Sequence, residues 1–88
     1  MTAIIDGAAV RSREELHDAL SRELLLPDWY GRNLDALRDC LTDPRKEEVF
    51  LRVLRGNELK NTLGPYADAF FRVLRDSESD FFHFNIIL

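Results

Sequence analysis

The spacing of apolar residues in the first third of the chain predicts a strand followed by a helix. Thr2–Asp6 is a short apolar run closed by an Asp-Gly turn signal, a pattern typical of a strand. Ser12 precedes a helical pattern and has Glu15 three positions later, which is the spacing of a capping box. The apolar stripe of this predicted helix comprises Leu16, Ala19, Leu20 and Leu24.

The next stretch, PDWYGRNLDALRDCLTD from Pro27 to Asp43, predicts an aromatic loop that leads into a second helix. Pro27 ends the preceding helical region, and Asn33 is a favourable N-cap for the following one. The apolar stripe of the second helix comprises Leu34, Leu37 and Leu41. We expect the rest of the chain to be organised around this segment.

The middle of the chain predicts a second strand and a short helix. An Asp-Pro turn and the charged residues 45–48 form the expected exposed connection. Val49–Leu54 (VFLRVL) is almost continuously apolar, which predicts a strand covered on much of both faces. Gly56 and Asn57 break this strand, and Glu58–Leu63 has the length of one or two helical turns.

The last third predicts one more helix and a final strand. Pro65 suits the first position of the helix, and Phe81–Leu88 (FFHFNIIL) is rich in the aromatic and β-branched residues of strands. The apolar face of the helix comprises Tyr66, Ala69, Phe70, Val73 and Leu74. The alternation of elements predicts an α/β fold, a compact two-layer domain with a three-stranded parallel sheet and about four helices. We expect one domain over residues 1–88.

Composition excludes several classes of protein. The 45% hydrophobic and 32% charged residues are typical of a globular chain, not a disordered one. No apolar run approaches the ~20 residues of a membrane span, and the N-terminus lacks a signal-peptide pattern. A single cysteine, Cys40, suits a reducing compartment. We therefore expect a cytoplasmic protein with no membrane association.

The negative charge is concentrated in two short segments. The net charge is −4, whereas nucleic-acid binding usually needs a basic patch, so we expect no nucleic-acid partner. Pro27–Asp43 carries a net charge of −2 and Asp76–Asp80 a net charge of −3, which leaves +1 for the remainder. If the fold brings the two segments together, the acidic surface suits a basic partner.

Asp35 and Asp39 are four residues apart on the second predicted helix and therefore share a face. The ordinary explanation is a solvated acidic face. An acid–base pair would need a nucleophile or a stabilising group nearby, and two carboxylates alone make a weak metal site. We expect no catalytic residue, no cofactor and no metal, and a small enzyme using Asp35 and Asp39 is the third hypothesis. Cys40 is expected to be buried, and His17 and His83 to be ordinary core or surface residues.

Two adjacent aromatic residues precede the second helix. We expect one of Trp29 and Tyr30 to fold under the helix and the other to be an exposed anchor for a protein partner. The run YGRNLDALRDCLT, with ELLLPDW before it, resembles the core motif of barstar-type ribonuclease inhibitors. The resemblance continues in IIDGAAVRSREELHDALSREL and FRVLRDSESDFFHFNIIL, so it covers nearly all of the chain and is weakest between Pro44 and Pro65.

The resemblance implies a barstar-like fold and a face that plugs the active site of a small secreted ribonuclease. In this family the enzyme pocket is built from Arg, Lys and His side chains, and a helix carboxylate replaces the RNA phosphate. Asp39 is the implied phosphate mimic, Tyr30 is implied to be structural, and position 29 to face the partner. By this resemblance the inhibitory face comprises Trp29, Asn33, Leu34, Asp35, Ala36, Arg38, Asp39, Thr42, Asp76 and, at its margin, Asp80.

Two positions depart from the family pattern. Arg38 stands where the family often has a large aromatic residue, and with Arg32 it adds positive charge to a face expected to meet a basic partner. Pro44 stands where an aromatic residue can follow the motif helix. These departures favour a ribonuclease with a different rim, one that offers carboxylates to Arg32 and Arg38.

The first functional hypothesis is a bacterial, intracellular immunity-type inhibitor of a secreted guanyl-specific ribonuclease. It predicts a non-enzymatic protein, monomeric when free, that forms a one-to-one complex with a ribonuclease whose active site is basic. The alternative keeps the acidic interaction face and assigns it to a different toxin or regulatory partner.

Overall fold

The computed structural model describes residues 1–43 and 47–88. Pro44 and the first part of the expected exposed connection lie outside the described residues, while Glu47 and Glu48 are exposed. The described residues form three strands, four α-helices and one 3₁₀ turn, which confirms the predicted α/β class. In chain order these are β1 (Thr2–Asp6), the 3₁₀ turn (Gly7–Ala9), α1 (Arg13–Glu23), α2 (Leu34–Leu41), β2 (Val49–Leu54), α3 (Gly56–Leu63), α4 (Pro65–Asp76) and β3 (Phe82–Ile86).

The three strands form one parallel sheet in the order β1-β2-β3, as predicted. The central strand β2 pairs with β1 in a register that sets Phe50 beside Thr2. On its other side the same residue lies beside His83 of β3. Helices connect the strands, as parallel pairing requires.

One face of the sheet is packed and the other is open. Along β2, Val49, Leu51 and Val53 are buried while Phe50 and Arg52 are exposed. The prediction that β2 is covered on both faces is therefore wrong. Buried and exposed residues alternate along β2, as expected for a sheet that is covered on one face. Phe50 is apolar although it is exposed, so the alternation was not visible in the sequence. We call the uncovered side the open sheet face; its residues are Thr2, Ile4, Phe50, Arg52, His83 and Asn85.

The helices cover the packed face with the apolar stripes that the sequence predicted. Leu16, Leu20, Leu37 and Phe70 are fully buried in one core with the inward residues of the strands. The stripe of α4 is wider than expected, because Ala67 and Phe71 are buried as well.

The start of α1 departs in detail from a capping box. The Ser12 side chain accepts a hydrogen bond from the Glu15 backbone N–H at 3.1 Å, as predicted. The Glu15 carboxylate, however, accepts from the Arg11 N–H at 3.0 Å and not from the N–H of the cap residue. Ser12 remains the cap residue of α1, and the Glu15 carboxylate binds the backbone of the residue before it.

The turn after β1 packs against the end of β2. Gly7 is required there, because a Cβ atom at this position would collide with the carbonyl oxygen of Arg55. Arg55 also binds Asp6, its Nε donating to the carboxylate at 2.8 Å, and this hydrogen bond lowers the pKa of Asp6. Gly56 and Asn57 end β2 as predicted but also open α3, which begins two residues earlier than expected. Pro65 opens α4 at its first position, as predicted.

Across residues 1–43 and 47–88, no helix combines the length and the apolar character needed to cross a bilayer.

Candidate functional site

The start of α2 is held by Asn33. Its side-chain oxygen accepts from the Ala36 N–H at 2.8 Å, and its amide nitrogen donates to the Gly31 carbonyl at 3.2 Å. Both polar atoms of the side chain therefore fix the helix start and the turn before it. Leu34 and Ala36 are half-buried against the core, so within the predicted inhibitory face they act chiefly as support.

Asp35 and Asp39 are exposed on one face of α2. The opposite side of the helix is anchored by Leu37, Cys40 and Leu41, all of which are buried. Because the anchor lies within the same two turns, the two carboxylates project from a fixed backbone. Asp35 lies in the first helical turn, where the helix dipole favours negative charge.

An ion pair brings the end of α4 beside α2. The Arg38 Nη2 atom lies 3.6 Å from the Asp76 Oδ2 atom, and both side chains are about half exposed. The C-terminal ends of the two helices also line one groove, to which α2 contributes Leu41, Thr42 and Asp43 and the α4 end contributes residues 76–79. The two acidic segments of the sequence are thus neighbours, which was the condition for an acidic surface.

The margins of this surface have clear structural roles. The Thr42 hydroxyl donates to the Arg38 carbonyl at 2.8 Å and closes the last turn of α2. The Ser79 hydroxyl accepts from the Phe81 and Phe82 N–H groups, at 3.1 and 3.2 Å, and shapes the turn into β3. Asp80 is exposed within that turn.

The two adjacent aromatic residues point in opposite directions, as predicted. The Trp29 side chain is 81% exposed, whereas Tyr30 is buried with 6% exposure. The Tyr30 N–H donates to the Pro27 carbonyl at 2.9 Å, which closes a tight turn around the tryptophan. An exposed tryptophan in the loop that leads into a helix with two exposed carboxylates suits a protein-binding surface.

Tyr30 is held by a buried histidine that the sequence did not single out. His17 is 2% exposed, and its Nδ1 atom lies 2.7 Å from the Tyr30 hydroxyl. Its Nε2 atom lies 2.8 Å from the hydroxyl of Tyr66 on α4. Burial lowers the pKa of His17 and raises the pKa values of both tyrosines. The signal was the placement of His17 directly after Leu16 of the apolar stripe of α1, which is compatible with burial, but the sequence analysis left core and surface open.

Arg32 is ion-paired with α1, so its positive charge is offset by a carboxylate outside α2. Its Nη2 atom donates to the Asp18 carboxylate at 2.6 Å and to the Glu14 carbonyl at 3.1 Å, both on α1. The residue has a left-handed backbone with φ of 56°, which turns the loop toward α1 before the helix begins. The guanidinium is therefore a tie between the loop and α1. Arg38 is equally exposed but pairs with Asp76 at the end of α4.

Both histidines have hydrogen-bond partners within the described residues. His17 engages both ring nitrogens with tyrosine hydroxyls, and His83 lies on the open sheet face with its Nε2 atom 2.7 Å from a Glu48 carboxylate oxygen. Cys40 is buried. Within the described part of the chain, no group of three or more His, Cys, Asp or Glu side chains is arranged to hold a metal ion.

Two comparisons with known proteins match this chain over most of its length. The model of the family described as Barstar (barnase inhibitor) matches residues 1–87. A protein of Bacillus subtilis (strain 168) named "Putative ribonuclease inhibitor YrdF" is 46% identical over 78 residues, which cover 88% of this chain and 85% of the relative.

Proposed function

Since this chain belongs to the barstar family, we propose that it inhibits a ribonuclease by covering the active site of the enzyme with the inhibitory face. The proposed target is a secreted, guanyl-specific microbial ribonuclease. The proposed complex is one-to-one, the free inhibitor is a monomer inside the cell, and the inhibitor itself catalyses nothing.

The proposed mechanism is mimicry of the RNA phosphate. A ribonuclease that grips phosphate with cationic side chains will also bind a carboxylate, through charge-assisted hydrogen bonds. Asp39 is the proposed mimic because it is exposed one turn beyond Asp35 on a helix anchored by buried residues. The fixed helix reduces the side-chain and backbone freedom that would be lost on binding.

Trp29, in the loop that leads into α2, is the proposed apolar anchor. Its neighbour Tyr30 is buried, so the loop is fixed while the indole stays in solvent. A large aromatic side chain that enters a partner pocket typically contributes strongly to affinity. The combination of one aromatic anchor with a carboxylate pair supports a compact, enzyme-blocking interface.

The observation that carries the proposal is the juxtaposition of three exposed acidic residues from two helices. Asp35 and Asp39 come from α2, and Asp76 of α4 pairs with Arg38 of α2. Such a charged patch accelerates association with a basic enzyme, and the acceleration falls as salt rises.

The test is a titration of the purified chain into barnase and two other guanyl-specific microbial ribonucleases, with RNA cleavage as the readout at low and moderate salt. We expect cleavage to fall to zero at one equivalent, with slower association at higher salt. Asp39→Ala should weaken binding by about 2–5 kcal/mol, because the cations of the enzyme are left buried and unpaired. Complexes of barstar with barnase contributed to that general range.

The matched control is Asp68→Ala. Asp68 is an exposed acidic residue on α4, paired with Lys60 at 3.8 Å, and lies eight residues before Asp76, roughly 12 Å along the helix axis. It removes the same charge without touching the inhibitory face. Equal inhibition by wild type, Asp39→Ala and Asp68→Ala would contradict the Asp39 assignment. Uninhibited cleavage by every ribonuclease, with circular dichroism showing a folded chain, would contradict the proposed target.

The second candidate function is binding of a different toxin or a regulatory protein by the same face. Arg38 favours it, because the guanidinium is about half exposed within the acidic surface and can bind a partner carboxylate. Affinity capture from the source organism with wild type and Asp39→Ala as parallel baits separates the two. A protein other than a ribonuclease that binds wild type and not Asp39→Ala supports this second function.

A further inference from the structure

Three elements of the fold meet at the His17 imidazole. His17 belongs to α1, Tyr66 to α4, and Tyr30 to the aromatic loop that precedes α2. The two tyrosine hydroxyls lie 2.7 and 2.8 Å from the two ring nitrogens, so the ring bridges the loop and α4. Tyr66 is itself covered by the Arg13 guanidinium of α1, 4.3 Å from the ring centroid.

Tyr30 is the residue through which this bridge reaches the inhibitory face. Within Asp28–Arg32 it is buried, while its four companions, Trp29 among them, are exposed. Its hydroxyl also lies 3.5 Å from the carbonyl oxygen of Asn33, the residue that caps α2. A shift of the Tyr30 ring would therefore displace both the tryptophan and the start of the acidic helix.

The protonation state of the imidazole decides how well the hydrogen bonds between the ring and the two tyrosines are satisfied. A neutral ring donates one hydrogen bond and accepts one, so in either tautomer both short contacts to the tyrosines are made. In either neutral tautomer only one of the two tyrosine hydroxyls must direct its proton away from the ring, whereas a protonated ring donates at both nitrogens and both hydroxyls must do so. For Tyr30 an available acceptor is the Asn33 carbonyl oxygen, which is 3.5 Å from the hydroxyl, so this alternative hydrogen bond is long and weak.

The charges around the ring do not compensate for protonation. Burial is the largest cause that lowers the pKa of His17, and Arg32 lowers it further while Asp18 raises it. Arg32 and Asp18 are paired with each other at 2.6 Å, so their effects on the ring oppose. From α4 the ring meets the Tyr66 hydroxyl, and from α2 the nearby titratable group is Cys40, which acts on Tyr30.

We propose that His17 is a positioning residue whose neutral imidazole holds the Trp29 loop and the start of α2 in the binding geometry, and that protonation of the ring releases them. The effect on partner binding rests on the proposed function, while the effect on the loop does not. Acid also lowers the stability of the folded chain. The unfolded chain takes up the His17 proton near pH 6.5 and the folded chain at lower pH, so stability falls as the pH drops below that value.

The test on the free protein uses Trp29, the single tryptophan of the chain. In wild type, the indole N–H resonance of Trp29 and the imidazole resonances of His17 are followed by NMR from about pH 8 to about pH 5. We expect the two to titrate with one shared midpoint below 6.5. A Trp29 resonance that stays constant while His17 titrates would overturn the proposal, and this measurement needs no variant.

Three variants separate positioning from simple packing. Tyr30→Phe keeps the buried ring and removes the hydroxyl, so the Trp29 response to His17 should disappear. Tyr66→Phe removes the other hydroxyl and should leave the coupling present, with a different midpoint. His83→Gln changes the other histidine, on the open sheet face, and should leave the wild-type response intact. A response that persists in Tyr30→Phe, or that vanishes in His83→Gln, would contradict the assignment.

Partner binding supplies the last readout. For any ribonuclease that wild type inhibits, Tyr30→Phe should weaken inhibition about two- to tenfold at about pH 8, the cost of one hydrogen bond. If no ribonuclease is inhibited, the proposed function fails while the shared midpoint of Trp29 and His17 still decides this inference.

Discussion

The inhibitory face and the open sheet face are both exposed and both carry aromatic residues, but they are built in opposite ways. On the inhibitory face, Trp29 stands 81% exposed in solvent while its neighbour Tyr30 is fixed from below. On the open sheet face, Phe50 is 46% exposed and stacks on His83 with ring centroids 4.7 Å apart. One aromatic side chain is left in solvent, and the other is partly covered by a neighbouring ring.

The two surfaces also differ in the charged residues that they present. α2 and the end of α4 present Asp35, Asp39 and Asp76, with Arg38 between the helices. The open sheet face carries Arg52, and its His83 is engaged by Glu48. Under the proposed function, the binding surface is the one that combines a fixed backbone with exposed charges, and the extent of exposed apolar area does not distinguish it.

The largest difference between the faces should appear when each loses its aromatic residue. Trp29→Ala should weaken inhibition by about 2 kcal/mol or more and leave the free energy of unfolding nearly unchanged, because the indole has few contacts to lose. Phe50→Ala should leave inhibition unchanged and reduce stability by about 1 kcal/mol through loss of the stacked pair. Inhibition titrations and urea denaturation of both variants measure the four quantities, and equal losses of inhibition would erase the distinction between the faces.

A medium effect is expected from the two helix caps. Asn33→Ala and Ser12→Ala should each lower stability by about 1 kcal/mol, because each removes a side-chain cap of similar geometry. Only the first cap orients the helix that carries Asp35 and Asp39, so Asn33→Ala should weaken inhibition and Ser12→Ala should not. Thermal denaturation checks the stability match, and a loss of inhibition in Ser12→Ala would show that the face responds to stability in general.

The smallest effect is expected from the arginines. Arg38→Ala should raise the association rate with a basic ribonuclease a few-fold at low salt, because it leaves the acidic surface more negative. Its effect on stability should stay within about 1 kcal/mol, as for other surface ion pairs. Arg52→Ala makes the same charge change on the open sheet face, and stopped-flow association at two salt concentrations compares them. A slower association of Arg38→Ala would indicate that the partner offers a carboxylate to this residue.

Local patterns predicted most of the fold. The helix starts at Ser12, Asn33 and Pro65 depend on residues within one turn, and the sequence displays them directly. The face of β2 was mispredicted because Phe50 is apolar yet lies on the open side. The sequence of a strand alone does not show whether one or both of its faces are covered by other elements.

The candidate site was predictable where it is built from one helix and less so where it is built from several elements. Asp35 and Asp39 share a face by helical spacing alone, whereas the Arg38–Asp76 pair depends on how two helices cross. The hydrogen bonds that hold the loop also join residues far apart in the sequence. His17 and Tyr66 are separated by 49 positions, and Arg32 and Asp18 by 14 positions. Hydrogen-bond partners at such separations follow from tertiary packing, which no single sequence displays.

The topology of the sheet has a consequence for the speed of folding. The central strand comes between its partners in the sequence, and 48 positions separate Thr2 from Phe50 while 33 separate Val49 from Phe82. Neither ladder can begin as a local hairpin, so chain entropy must be lost over long loops before any strand pair forms. We therefore expect the helices to pack together first and the sheet to form late. The strands would then stay unpaired during synthesis for longer than the helices of a helical bundle of this length.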